Sequence, residues 1–418
     1  MKRLAAALLL APLVAVLACS GSSAPEPTSG APGAPGAPLA GGPKTVTFTM
    51  NTTIKAGAEA HKCQFVAMPE GSAYVVASSH EYTVGSHHLL LFRTDLSSIP
   101  EGMDKLQDCY ETGGDSVMSH VRGIVYGAQE PKAESRFPKG VGLPTLSKEV
   151  FLFQSHYLNS GAKDLDAKVT VNLEVTDGAD VTQKAGVLFF YDPFIHVGAG
   201  QKARASMRCA IRNDITLLTA VSHYHKRGTE YSAFLDLPNA PLSTTPFYTS
   251  NAWDHPDSLR QTMQIPAGSR IRFGCGYDNT RGTREYFQGQ SAEDDEMCMF
   301  TGVYYPDMGL SDNFCMNEPD MFGTGKATCR ETQDCVQACP AGSAPKLGAA
   351  SGGKVDPCWQ RCFVASCPSA AAPLLKQFSC IQSKCKEACA SAGSPQCASC
   401  AIGSCPAEVS SCQAQACN

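Results

Sequence analysis

Short apolar runs of strand length recur from residue 44 onward, and they constrain the fold more than any other feature of the chain. KTVTFTM, SAYVVASS, HHLLLFRT, AKVTVNLEV, AGVLFFYD, ITLLTAVSHYH, YSAFLDL and RIRFGCGY are separated by clusters of Gly, Pro, Asn or Asp. β-Branched and aromatic residues in runs this short favour strands, and few segments carry the period of a long helix. A strand with one apolar face must bury it against another layer, so the pattern predicts all-β sandwiches. Residues 44–322, about 280 in all, are enough for two domains of ordinary size. We place the boundary near Asp192-Pro193, giving domains at 44–192 and 193–322.

The two ends differ from this middle. Lys2-Arg3 precedes an apolar run from Leu4 to Leu17, which predicts a signal peptide at 1–18, too short for a comfortable membrane span. Val16-Leu17-Ala18-Cys19 resembles a bacterial lipobox, with Cys19 as the lipid-bearing residue. Residues 19–43, with repeated Gly-Ala-Pro, cannot bury a core and read as a flexible tether. The expected location is therefore the bacterial cell envelope, as an outer-membrane lipoprotein that meets the membrane only through its anchor. A net charge of −5 with 17% charged residues offers no basic surface for nucleic acid.

Residues 323–418 hold fourteen cysteines: Cys329, Cys335, Cys339, Cys358, Cys362, Cys367, Cys380, Cys385, Cys389, Cys397, Cys400, Cys405, Cys412 and Cys417. Many are spaced three to five residues apart in triplets, which on helices places them roughly on one face. Export permits disulfides. The expectation is a small cysteine-rich tail of helical hairpins stitched by disulfides, serving as a spacer or as a module for a surface partner. A thiolate store for cuprous ions is the alternative.

Chemistry concentrates in three apolar stretches. They carry His87 and His88 in GSHHLLLF, His156 in FLFQSHYLNSG, and His223 and His225 in AVSHYHKRG, with Met297 further on in DDEMCMFTG. Residues i and i+2 on a strand share a face, so His223 and His225 can converge on one ion. His87 and His88 point to opposite faces of a regular strand and can share a metal only at a strand end or bulge. Gly85 supplies a place for that break. A thioether beside imidazoles selects copper, above all its cuprous state.

The order of these six residues resembles the copper type II, ascorbate-dependent monooxygenases, over roughly residues 44–322. In that family a His-His pair and a Gln-X-His-Tyr histidine hold one copper; His-X-His and a methionine preceding cysteine hold the other. HHLLLF, QSHY, HYH and MC match those elements here. The resemblance implies two jelly-roll-like domains with one copper ion in each. It implies a first site of His87, His88 and His156, with Gln154 ordering its surroundings, and a second of His223, His225 and Met297. It further implies O2 and an ascorbate-like donor as co-substrates, hydroxylation at the second copper across a cleft between the domains, and the pairings Cys63–Cys109, Cys209–Cys315 and Cys275–Cys298.

One departure bears on substrate. The family's peptide-amidating members clamp a carboxylate with residues whose places here hold Val221, Met299 and Thr301. Without a bidentate cation a peptide carboxylate has no partner, so a small, hydrophobic or aromatic substrate is expected. His61 stands where the family tends to carry a tyrosine, as a neighbour of the first site. His80, His120, His196 and His255 read as surface or structural residues, and Asp294, Asp295 and Glu296 as a solvated loop. The rival reading is a non-catalytic lipoprotein that scavenges copper.

Overall fold

The structure, a computed structural model, describes residues 42–110, 117–309, 314–315, 323, 325–340, 356–385, 387–389 and 395–417. The signal peptide, Cys19 and nearly all of the tether lie outside the described residues.

The first domain is a sandwich of two sheets. One runs Lys44–Ile54, Leu165–Thr176, Tyr74–Tyr82, Val141–Pro144; the other runs Gln107–Asp108, Glu59–Ala67, Val150–Leu158, Ser86–Thr94, Val121–Ala128. Alternate residues of facing strands meet between the layers, with Met50, Val169 and Val171 from one sheet against Leu89, Leu91, Phe151 and Phe153 from the other. The remaining face of the second sheet, carrying His88, Leu90, Gln154 and His156, turns toward the second domain.

The second domain repeats the plan. Its sheets run Met263–Ile265, Ile215–Tyr224, Cys298–Tyr305, Gly186–Tyr191, Phe314–Cys315 and Lys202–Ala210, Arg270–Asp278, Gly228–Asp236, Tyr248–Ser250. Leu188, Phe190, Leu217 and Phe300 pack against Met207, Tyr231 and Phe273. The boundary at Asp192-Pro193 needs correction. Gly186–Tyr191 pairs with Cys298–Tyr305 and buries Leu188 and Phe190 in the second core, so the switch between domains precedes it. The Asp-Pro turn follows that strand rather than leading into it.

Ten disulfides join the described cysteines. Cys63–Cys109 staples the first domain; Cys209–Cys315 and Cys275–Cys298 staple the second. All fourteen tail cysteines pair within the tail. That arrangement leaves no thiolate for a copper store. The tail is helical, with helices at Cys329–Gln337, Pro357–Ala365, Pro368–Cys385, Pro395–Ser404 and Pro406–Ala414. Proline begins the last four, where its fixed φ suits a helix start and its missing N–H is not needed. Thr328 and Glu331 form a capping box on the first. The tail docks on the second domain: Gln360 Oε1 accepts from the backbone N–H of Ile195 (3.3 Å) and Gln288 (3.0 Å). Arg361 pairs with Glu285, and Phe363 meets Phe194 edge-on.

Candidate metal centre

The row His61–His156–His88 crosses three neighbouring strands of the first domain. His61 and His88 are each the cross-strand partner of His156 on its two sides. Between Ser86 and His88 the pairing slips by one residue, and the extra residue is His87. This bulge follows Gly85, whose φ of +110° is a conformation that side chains rarely adopt. The break turns His87 and His88 toward one another, with ring centroids 5.3 Å apart. His61 stacks on His156 at 3.8 Å, a neighbour of the set as expected.

In the second domain, His223 pairs with Met299 and Tyr224 with Cys298. Met297 therefore sits at the end of that ladder beside His225. Its position is fixed from behind by the Cys275–Cys298 disulfide and by Tyr277, whose hydroxyl donates to the Met297 carbonyl at 2.6 Å. Met297 and Met299 are buried with Tyr191.

The sequence reading keeps the two histidine sets apart, one in each domain. The structure brings them together at the domain interface. His223 lies 5.3 Å from His87 and 5.1 Å from His88 between ring centroids, and His225 lies 6.1 Å from His87. Donor atoms of His87, His88 and His156 lie within 4.8 Å of one another, and so do those of His87, His223 and His225. The domains meet tightly here. Glu59 Oε2 accepts from the Ser291 hydroxyl (2.6 Å), Tyr110 donates to Gln290 (3.1 Å), and Trp253 covers His87 at 5.4 Å.

Hydrogen bonds assign the ring nitrogens. His225 Nδ1 faces the Asp295 carbonyl at 3.2 Å and so carries the proton, while Nε2 is buried without a partner. His156 Nε2 lies 2.7 Å from Glu59 Oε1, and its Nδ1 is likewise buried without a partner. His88 Nδ1 is buried and unpartnered too. Burial, reinforced by the neighbouring imidazoles, holds His87, His88, His156 and His225 well below the ordinary histidine range. Burial alone takes His223 down to about 4. Neutral rings with unspent lone pairs, two of them oriented by a carboxylate or a carbonyl, fit a borderline-to-soft cation such as copper.

A cavity of about 210 Å³ opens beside this cluster, between the domains. His88, Gln154, His223 and Met297 line one end, and Glu130, Ser258 and Arg260 line the other. Between them the wall is apolar, with Leu90 and Ile124 on one side and Phe189 and Val303 on the other. Val221, Met299 and Thr301 all face it. Gln154 Nε2 lies 3.4 Å from the Tyr110 hydroxyl, so it belongs both to this wall and to the contact between domains.

Two residues escaped the sequence reading. Glu59 lies on the same strand face as His61, a period-two signal that was available. Trp253 comes from a loop with no local signal. One expectation fails: Glu296, read as part of a solvated loop, is wholly buried and paired with Arg227 at 2.9 Å. Asp294, by contrast, is exposed and paired with Arg284. Of the other histidines, His80 is buried between the Tyr126 hydroxyl and the Glu130 carbonyl, and His120 and His196 face Asp95 and Glu285.

No curated protein matches the chain. Among solved structures, it is similar to the glycosylasparaginase PNGase F of Flavobacterium meningosepticum, at 10% identity over 64% of this chain and 97% of that one, with a TM-score of 0.24. It is also similar to the tandem CBM22 domains of Paenibacillus barcinonensis Xyn10C, at 9% identity over 64% and 92%, with a TM-score of 0.17. Likenesses this weak carry no argument. Residues 198–323 match the family model described as the copper type II ascorbate-dependent monooxygenase, C-terminal domain. The matched stretch takes in most of the second domain, with His223, His225 and Met297, and over it the chain is similar to that family.

Proposed function

We propose that the chain is a copper-dependent monooxygenase that hydroxylates a C–H bond of a small hydrophobic or aromatic substrate, using O2 and a one-electron donor such as ascorbate. The observation that carries this reading is the meeting of unpartnered, buried imidazole nitrogens with Met297 at the end of an apolar cavity. His87, His88 and His156 would hold one copper ion, and His223, His225 and Met297 the other. Copper supplies one-electron redox chemistry and the activation of dioxygen. The protein's part is placement. Asp295 and Glu59 fix the rings of His225 and His156, and the disulfide at Cys298 fixes Met297.

Val221, Phe189, Met299 and Thr301 would press an apolar substrate toward the His223 end and keep water out. No cation stands among these four to pair a peptide carboxylate. The test is oxygen uptake coupled to ascorbate across a panel of small aromatic and aliphatic compounds. Uptake that depends on substrate and vanishes in Met297→Ala supports the proposal. Two bound copper ions with no uptake on any compound favour the scavenger. Against that rival stands the cavity, which a metal carrier does not need.

We further propose an exported, lipid-anchored protein of the cell envelope. Ten disulfides support an oxidising compartment.

A further inference from the structure

The strand Gly186–Tyr191 alternates. Leu188 and Phe190 turn into the core of the second domain, while Val187, Phe189 and Tyr191 line the cavity between the domains. Tyr191 stands in the same row as His223, with Met299 between them as the cross-strand partner of both. Two strand spacings put Tyr191 and His223 roughly 10 Å apart at the backbone, about the span of a one-ring compound. Tyr191 is 1% exposed and packed with Met297 and Met299, and its hydroxyl is buried without a partner. The other two tyrosines of the described lining spend their hydroxyls, Tyr110 on Gln290 (3.1 Å) and Tyr126 on His80 Nδ1 (2.6 Å). A buried hydroxyl left unmet costs stability, and phenylalanine, which serves two residues earlier at Phe189, would fill this place without that cost.

We propose that the Tyr191 hydroxyl anchors the substrate, donating to a neutral acceptor oxygen (a carbonyl, an ether or a hydroxyl) on an otherwise apolar molecule. The inference rests on the monooxygenase reading above and deepens it, because a pure hydrocarbon would leave the hydroxyl unmet. A phenol keeps its proton at neutral pH and so can donate. The partner oxygen is neutral because Arg260, the one lysine or arginine of the described lining, lies at the other end of the cavity and is held by Glu130 at 3.2 Å. An anion at Tyr191 would be desolvated without a counter-charge. Tyr191 thus determines specificity: it holds one end of the molecule so that a carbon at the other faces His223 and Met297, and it takes no part in breaking the bond.

Calorimetric binding to the full chain tests this with two isosteric pairs, acetophenone against α-methylstyrene and anisole against ethylbenzene. In each pair the affinity of the oxygen compound relative to its hydrocarbon is expected to fall roughly 3–10-fold from the wild type to Tyr191→Phe, the worth of one hydrogen bond. Thermal unfolding without ligand gives a readout that a merely structural hydroxyl would move: Tyr191→Phe is expected to be at least as stable as the wild type. An affinity ratio unchanged by the substitution, an unliganded variant less stable than the wild type, or no binding of any of the four compounds overturns the anchor. Ascorbate-driven oxygen uptake tests the copper reading separately. Uptake with the ratio unchanged overturns the anchor and leaves that reading standing, whereas a lowered ratio with no uptake on any compound supports the anchor and removes the oxygenase.

Discussion

Glu59 Oε1 lies 2.7 Å from His156 Nε2 in the first domain, and the same atom accepts the Ala292 N–H of the second domain at 2.7 Å. One carboxylate thus orients a candidate ligand and ties down the loop that leads to Met297. Replacing it with glutamine keeps the shape and removes the charge. Outer partners of this kind contribute about 10–100-fold to metal affinity. Glu59→Gln is expected to weaken binding of the first copper by a factor in that range, read by competition with a chelator for cuprous ion. Unchanged affinity would make Glu59 a domain contact only.

Removing the Cys275–Cys298 bridge tests how Met297 is held. The two cysteines are 23 residues apart, and closing a loop of that length contributes about 3 kcal/mol. The Cys275→Ala/Cys298→Ala variant is expected to lose that much in denaturant unfolding and to lose sulfur ligation at the second copper. A variant with full stability and sulfur still bound would show that Tyr277 and the strand ladder suffice.

Cavity shape should set specificity. Val221→Phe fills space at the centre of the wall without adding charge. Copper content should stay constant, while kcat/KM for the larger substrates drops roughly tenfold or more. Equal losses for all substrates, however small, would argue that the substrate does not occupy this space.

Stability should depend on Asp192. Burial pushes its carboxyl up to about 8, against hydrogen bonds from Phe194 and Ser206 that favour the charged form. The folded value lies above the unfolded value of 3.8, so the folded state keeps a proton that the unfolded state releases. The associated stability is present at low pH and declines as pH rises through about 8, by at most about 1.4 kcal/mol per unit. Asp192→Asn should flatten this slope, so that the variant gains on the wild type between pH 5 and pH 8. Parallel pH profiles in thermal unfolding would contradict it.

Much of this was legible in the primary structure, because it rests on local rules. Alternation marked the strands, and the i, i+2 rule put His223 and His225 on one face. The need for a break at His87-His88 pointed to the bulge after Gly85. Cysteine spacing indicated a disulfide-bonded helical tail. What was not legible depends on how the two sandwiches meet. No local signal brings Trp253 over His87, or His223 to within 5.3 Å of it between ring centroids. Glu296 misled for a related reason. Three acids in a row read as solvated, yet Arg227 reaches the third from another strand end and lets it be buried.

The central claim is that these histidines and one thioether seat two redox-active ions. Copper counting combined with X-ray absorption on the reduced, reconstituted protein addresses it most directly. The account predicts two copper ions per chain and a sulfur scatterer on one of the two, lost in Met297→Ala. A single ion, or an all-nitrogen environment unaffected by that substitution, would contradict it.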